Sequence, residues 1–150
     1  AAELGLPYSF ADFINPGGAE IAALYREQCL AAEPRVMVAA WVICAETDEE
    51  AQRLASSSRM TLTLLRQGRL IAVPPVEKAL RFLESQGPAP GGGRRAVIGS
   101  PPAVRAKLEQ LASDYGAEEA MIVTITHSHE ARRRSYELIA EAFADVLLAA

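Results

Sequence analysis

A chain of 150 residues falls within the size of one domain and is long enough to bury roughly two thirds of the surface its unfolded form exposes. Half of it is hydrophobic, supplied far more by aliphatics and alanine than by the 6% of aromatics, as expected where helices pack on a sheet. The formal net charge is -4 and basic residues are scattered apart from Arg132-Arg133-Arg134, which sets aside nucleic acid as a partner.

No apolar run reaches the length of about 20 residues that spans a bilayer, and the amino terminus lacks a basic region followed by a hydrophobic one. Cys29 and Cys44 form no CxxC and no ladder of spacings, so two buried thiols in a reducing compartment are expected, with no disulfide and no metal site. The expectation is a soluble cytoplasmic protein with no membrane partner.

In chain order, Ala1 to Gly5 reads as the tail of a helix stopped by glycine, the way a fragment begins, and Tyr8 to Phe13 as a short strand released by Pro7. Asn15-Pro16-Gly17-Gly18 is turn chemistry. From Ala19 to Ala31, Ile21, Leu24, Tyr25 and Gln28-Cys29 recur at helical spacing, with Glu20, Arg26 and Glu27 on the other side. Pro34 ends that helix. Arg35 to Ala45 is the most hydrophobic run, β-branched at several positions, and predicts a central parallel strand. Thr47 then caps a helix, with Glu50 placed to reach back to the capping residue and the acids of Glu46 to Glu50 suited to the positive end of the dipole.

That helix runs to about Gln67, with Leu54, Met60, Leu62, Leu64 and Leu65 as candidates for burial, and stops at Gly68. Residues 68 to 95 read as an insertion. Within it Pro74-Pro75 opens a short helix from Val76 to Ser85, and Gly87 to Gly93 is a flexible tip, either a lid or a plain surface loop. A very short apolar strand, Ala96 to Ile98, leads into Gly99, Ser100 as a cap and Pro101 in the first helical turn, followed by a stripe of Val104, Leu108, Leu111 and Tyr115 that Gly116 closes. Met121 to Thr126 is apolar or β-branched at both parities, as in a strand covered on both faces, and a final helix follows from about Glu130 to Leu148, with Leu138, Ile139, Ala142, Phe143, Val146 and Leu147 as its stripe. Strands alternating with helices define an α/β fold with a parallel sheet.

Three places invite chemistry. His127-Ser128-His129 holds the only histidines, where a strand ends, the position at which parallel α/β folds collect reactive groups. They would serve as general base or as an anion site with Arg132 to Arg134, and no third ligand is spaced to complete a metal site. The competing assignment makes Ser128 a helix cap and the histidines partly exposed turn residues. Gly99-Ser100 at a helix start offers a phosphate cradle or ordinary capping, and neither GxGxxG nor GxxxxGK[ST] is present. Phe10, Asp12 and Trp41 are the third set, a substrate pocket if Asp12 stands at a strand end, otherwise turn initiation at Asp12 and core at Trp41.

Leu4 to Ala11, the strand Val38 to Ala45 followed by Glu46-Thr47-Asp48-Glu49-Glu50-Ala51, the Val97-Ile98-Gly99-Ser100-Pro101 junction, and Met121 to His129 followed by Arg133-Arg134-Ser135-Tyr136-Glu137-Leu138 together resemble the bacterial luciferase-like flavin-dependent monooxygenases. The resemblance covers nearly the whole chain and implies a (β/α)8 TIM barrel, with the matched blocks in its carboxyl-terminal half. It implies reduced FMN from a separate reductase and dioxygen oxygenating a small organic substrate, in a protein that tends to form homo-oligomers. It also implies that the amino-terminal half, which carries most of the flavin contacts, has no counterpart here. The family turn usually reads His-Asp-His where this chain has His127-Ser128-His129. No catalytic residue of the family maps onto this chain, so the assignments rest on position at strand ends and helix starts: His127 and His129 are the catalytic candidates, Gly99 and Ser100 the cofactor-binding ones, and Phe10, Asp12 and Trp41 the substrate pocket. The chain by itself is expected to be inactive, and the alternative is a non-catalytic half-barrel that self-associates or pairs with a missing amino-terminal fragment.

Overall fold

The computed structural model describes residues 1–15, 17–86 and 95–144, so Pro16, the glycine-rich tip at 87–93 and the stripe residues Val146 and Leu147 lie outside the described residues. The elements are β1 (Tyr8–Ala11), α1 (Gly18–Gln28), β2 (Val36–Cys44), α2 (Asp48–Arg66), α3 (Val76–Gln86), β3 (Val97–Gly99), α4 (Pro101–Tyr115), β4 (Glu119–Val123) and α5 (His129–Ala142), preceded by a 3-10 turn at Ala2–Leu4. The most apolar run in the sequence is also the sheet's central strand. β1 pairs with β2 in parallel, Phe10 opposite Val38, and β4 pairs with β2 in parallel, Met121 opposite Ala39. β3 also joins β2, and the Gly99 carbonyl accepts the Ala45 amide at 3.3 Å just past the strand.

The chain divides into two compact units, one gathering Ala1–Trp41, Arg94–Val97 and Ala106–Val123, the other Val42–Gly93, Ile98–Arg105 and Thr124–Ala150. The first is built on Phe10, Ala22, Tyr25, Val36, Val38 and Tyr115. Here the helical stripe expected for α1 is displaced: Ile21 and Leu24 are 47% and 49% exposed, while Gly18, Ala22 and Tyr25 are buried. Small residues win because the helix lies directly on aromatic rings, and a Cβ at Gly18 would stand 2.8 Å from the Tyr115 hydroxyl. The Tyr25 hydroxyl donates to the Leu6 carbonyl at 2.8 Å, and the Arg26 guanidinium donates to the Tyr115 carbonyl beside Gly116, whose φ of 55° ends α4 as glycine permits.

The second unit buries Ile43, Ala45, Leu54, Ala55 and Val76, and a neighbouring cluster of Met60, Leu64 and Ala79 is flanked by Ile71 and Phe82. Leu65, expected inside, is exposed, because it turns away from the Met60 and Leu64 side of α2. Thr47 caps α2 by accepting the Glu50 amide at 3.2 Å. The reciprocal half of the box is not made, since the Glu50 carboxylate binds Arg53 at 2.7 and 3.1 Å. Ser135, fully buried, accepts the Cys44 amide at 2.9 Å and so satisfies the last residue of β2. Cys44 is buried and Cys29 half-buried, both free thiols.

Two strands are shorter than expected. β1 stops at Ala11, and Asp12 and Phe13 belong to the turn. β4 covers Glu119–Val123, where Met121 to Thr126 and burial of both faces were expected, and Met121 is 50% exposed. Its apolar sequence is written for cover that no described residue supplies to that face. No helix of the described residues is long and apolar enough to cross a membrane.

Candidate functional site

The strand-end turn is organised by hydrogen bonds that the sequence predicts in part. Ser128 caps α5, its side chain accepting the Ala131 amide at 3.2 Å, and the Thr126 hydroxyl donates to the Ser128 carbonyl at 2.9 Å. The Thr124 amide beneath donates to the Tyr136 hydroxyl at 3.1 Å. Both histidines are exposed, as in the capping alternative.

Their rings face different partners. His127 Nδ1 lies 2.9 Å from the Val73 carbonyl, which can only accept, so Nδ1 carries the proton and Nε2 is the ring's open acceptor in the neutral form. His129 Nδ1 lies 2.9 Å from the Arg132 guanidinium, which can only donate, so this ring holds the opposite tautomer. The arginine run does not form an anion site with them: Arg133 pairs with Glu137 at 3.3 Å, and Arg134 with Glu46 at 2.9 Å as well as with Glu137 and Glu141. Among the described residues no group of three His, Cys, Asp or Glu side chains is placed to hold a metal.

His127, and not His129, borders a cavity of about 590 Å3. Its walls are apolar, with Met60, Leu64, Ile71 and Phe82 among them, and the titratable side chains that line it are Arg69, Lys78 and His127. This volume lies within the range of small-molecule sites, roughly 300–1,000 Å3. Arg69 and Lys78 were missed in the sequence. The only signal available was that two cations flank Pro74-Pro75, inside the segment 68–75 that lacks periodicity.

Gly99 and Ser100 are also fixed, by a residue far away in sequence. The Ser100 amide donates to Asp48 Oδ1 at 2.6 Å, and a Cβ at Gly99 would meet the same oxygen at 2.9 Å. An anion does sit at this helix start, and it is the chain's own carboxylate. The donor set therefore does not fit a flavin phosphate at this position.

Asp12 and Trp41 line one cavity of about 290 Å3 in the first unit, with Arg95 and Asp114, whereas Phe10 packs into the core beside them. Asp12 is 5% exposed and accepts the Tyr115 hydroxyl at 2.9 Å, with Arg95 at 4.0 Å. Trp41 is buried, as the core assignment expects, and its indole N–H finds no partner among the described residues.

Burial, then the hydrogen bond to Asp12 and that residue's negative charge, push the Tyr115 phenol from 10.0 up to about 12, against a smaller opposing pull from the Gly18 amide and Arg95. Burial first, and the charge of Glu46 second, push the Cys44 thiol from 9.0 to about 11. Both folded values lie above the unfolded ones. Each group therefore contributes stability that is complete below its unfolded pKa and lost as pH rises through the folded one, between pH 9 and 11 for Cys44 and between pH 10 and 12 for Tyr115. Far-ultraviolet dichroism should fall across these windows, and Tyr115→Phe should flatten the upper one. A phenol titrating near its ordinary value in a chain that stays folded would contradict the burial.

No protein-family model matches the chain. It is 38% identical to the uncharacterised protein YwcH of Bacillus subtilis (strain 168) over 97% of its own length and 46% of that protein's. It is 27% identical to a luciferase-like monooxygenase of Escherichia coli (strain K12), over 92% of this chain and 44% of the other. Among solved structures, apo-MsnO8 superposes with a TM-score of 0.87 at 38% identity, covering 96% of this chain and 46% of that one. At 17% identity and a TM-score of 0.53 the fold is also shared by the oxygenating constituent of 3,6-diketocamphane monooxygenase from Pseudomonas putida, solved with FMN, over 91% of this chain and 47% of that one. The chain thus spans under half the length of the proteins it matches. Its parallel strands alternating with helices form an open α/β sheet, a fold shared with solved monooxygenases, and one of its relatives is named a luciferase-like monooxygenase.

Proposed function

We propose that this chain is the carboxyl-terminal portion of a luciferase-like flavin-dependent monooxygenase, oxygenating an organic substrate with reduced FMN from a separate reductase and dioxygen. The observation that carries this reading is the similarity to the E. coli luciferase-like monooxygenase over 92% of the chain. The apolar cavity beside the strand-end turn supports the reading. FMN, when bound, supplies the activation of dioxygen.

The chain's own contribution is on the substrate side. The walls around Met60, Leu64 and Phe82 keep water from an apolar substrate. His127, oriented by the Val73 carbonyl, offers Nε2 to accept a substrate proton or, once protonated, to return one. His129 is held by Arg132 and takes no part in that exchange. Because Asp48 occupies the Ser100 amide, the grip on the flavin phosphate is assigned outside Gly99-Ser100.

A second reading is favoured by the exposure of Met121 and Ile125, 50% and 39%, on a strand and its extension written for burial. There the chain is a non-catalytic half-barrel that associates with a second copy or with an amino-terminal fragment. Titrating the folded chain into FMN while following flavin fluorescence, with light scattering alongside, separates the two. A saturable change in the micromolar range supports the flavin reading. A dimer with no flavin response would favour the half-barrel and sink the idea that this chain is a self-sufficient flavin enzyme.

A further inference from the structure

The cavity beside His127 has cations and no carboxylate in its lining, unlike the cavity at Asp12 and Trp41. The chain carries 19 acidic against 15 basic residues, and several arginines are engaged by carboxylates: Arg35 by Glu118 and Glu119, Arg53 by Glu50 and Glu77, Arg134 by three glutamates. Arg69 and Lys78 make no ion pair among the described residues. They meet instead at one apolar cavity, where no carboxylate joins them in the lining.

Two cations with no ion pair among the described residues, beside a wall of Met60, Leu64, Ile71 and Phe82, form a two-part recognition surface. An apolar body is drawn in by the area it removes from water, while a charged head gains charge-assisted hydrogen bonds that a neutral head does not. Arg69 presents a planar fork matched to two oxygens, and Lys78 a mobile point charge. The Val73 carbonyl bridges the segment between them to His127, so the turn and the cations share one rim.

We propose that this cavity binds a small organic carboxylate with an apolar body, the head held by Arg69 and Lys78 and the tail laid on Met60, Leu64 and Phe82. The assignment rests on the monooxygenase reading for its identification as a substrate, and on the cavity's own chemistry for the class of ligand.

Calorimetric titration of the chain with octanoate, octan-1-ol and octylammonium, which share one tail and differ in head charge, tests it. Octanoate is expected to bind about tenfold or more tighter than octan-1-ol, corresponding to about 1.4 kcal/mol, with octylammonium weakest. The double variant Arg69→Gln, Lys78→Gln changes only exposed side chains and is expected to fold. It should bring octanoate down to the affinity of octan-1-ol while leaving octan-1-ol unchanged. Equal binding of octanoate and octylammonium would overturn the proposal, as would a preference that survives the double variant or an octanoate titration that never saturates. Displacement of octanoate by FMN, but not by riboflavin, would assign the cations to the flavin phosphate and overturn the substrate assignment. Failure here with a positive flavin titration leaves the monooxygenase reading intact, whereas binding of octanoate without any flavin response removes a self-sufficient flavin site from this chain and keeps the anion site.

Discussion

Replacing Tyr115 with alanine is expected to destabilise the chain by about 3–5 kcal/mol, the cost of emptying a buried aromatic site. Tyr115 is 2% exposed and packs on Phe10, with ring centroids 5.8 Å apart. Its hydroxyl is also the donor that Asp12 receives at 2.9 Å in a place nearly closed to solvent. Tyr115→Phe keeps the ring but removes the hydrogen bond Asp12 accepts, leaving that carboxylate only Arg95 at 4.0 Å, so about 1–3 kcal/mol of the loss should remain. A further variant locates the effect. In Gly18→Ala the new methyl meets the Tyr115 hydroxyl at 2.8 Å and its ring at 3.0 Å, an overpacking cost of about 1–3 kcal/mol. Combining Gly18→Ala with Tyr115→Phe should cost less than the two separate losses together, because removing the hydroxyl removes the closest contact. Urea denaturation of the four chains measures the coupling, and strict additivity would refute it.

Trp41→Ala should cost a similar amount, about 3–5 kcal/mol, since Trp41 is 4% exposed on the central strand. Trp41→Phe is expected to cost under about 1.5 kcal/mol, although it too removes volume. Both variants delete the indole N–H, which is buried without a partner among the described residues and carries a desolvation penalty of about 1–3 kcal/mol, so the difference between them comes from the ring that phenylalanine keeps. Deleting the N–H offsets part of the packing loss. A cost for Trp41→Phe well above about 1.5 kcal/mol would mean that the N–H has a partner in solution.

The parts of the fold that sequence discloses are those with local causes. The run Val36–Cys44 announces a buried strand by composition, Thr47 and Ser128 announce helix starts by capping chemistry, and Gly68 and Gly116 announce helix ends by their positive φ of 75° and 55°. What stays hidden depends on contacts between distant residues. Asp12 looks like a turn initiator until Tyr115, 103 residues later, is seen to bury and satisfy it. Ile21 and Leu24 fit a helical stripe, but the aromatic bed beneath α1 prefers Gly18 and Ala22. The candidate site follows the same rule: the position of the histidines at a strand end was legible, whereas Arg69 and Lys78 reach the same cavity from a segment with no periodic signal and from α3. The equivalence of the two histidines in sequence was misleading, because their tautomers are set by a carbonyl and a guanidinium that lie 54 and 3 residues away.

The carboxylate of Asp48 at the Ser100 amide bears on how this helix start would respond to dissolved anions. It is a tethered competitor, and a group held in place by the folded chain acts at an effective concentration on the order of millimolar or more. Free phosphate at cellular levels therefore meets a contest in which the resident never diffuses away, so the helix start is insulated from the anion pool and serves to join β3 and α4 to the beginning of α2.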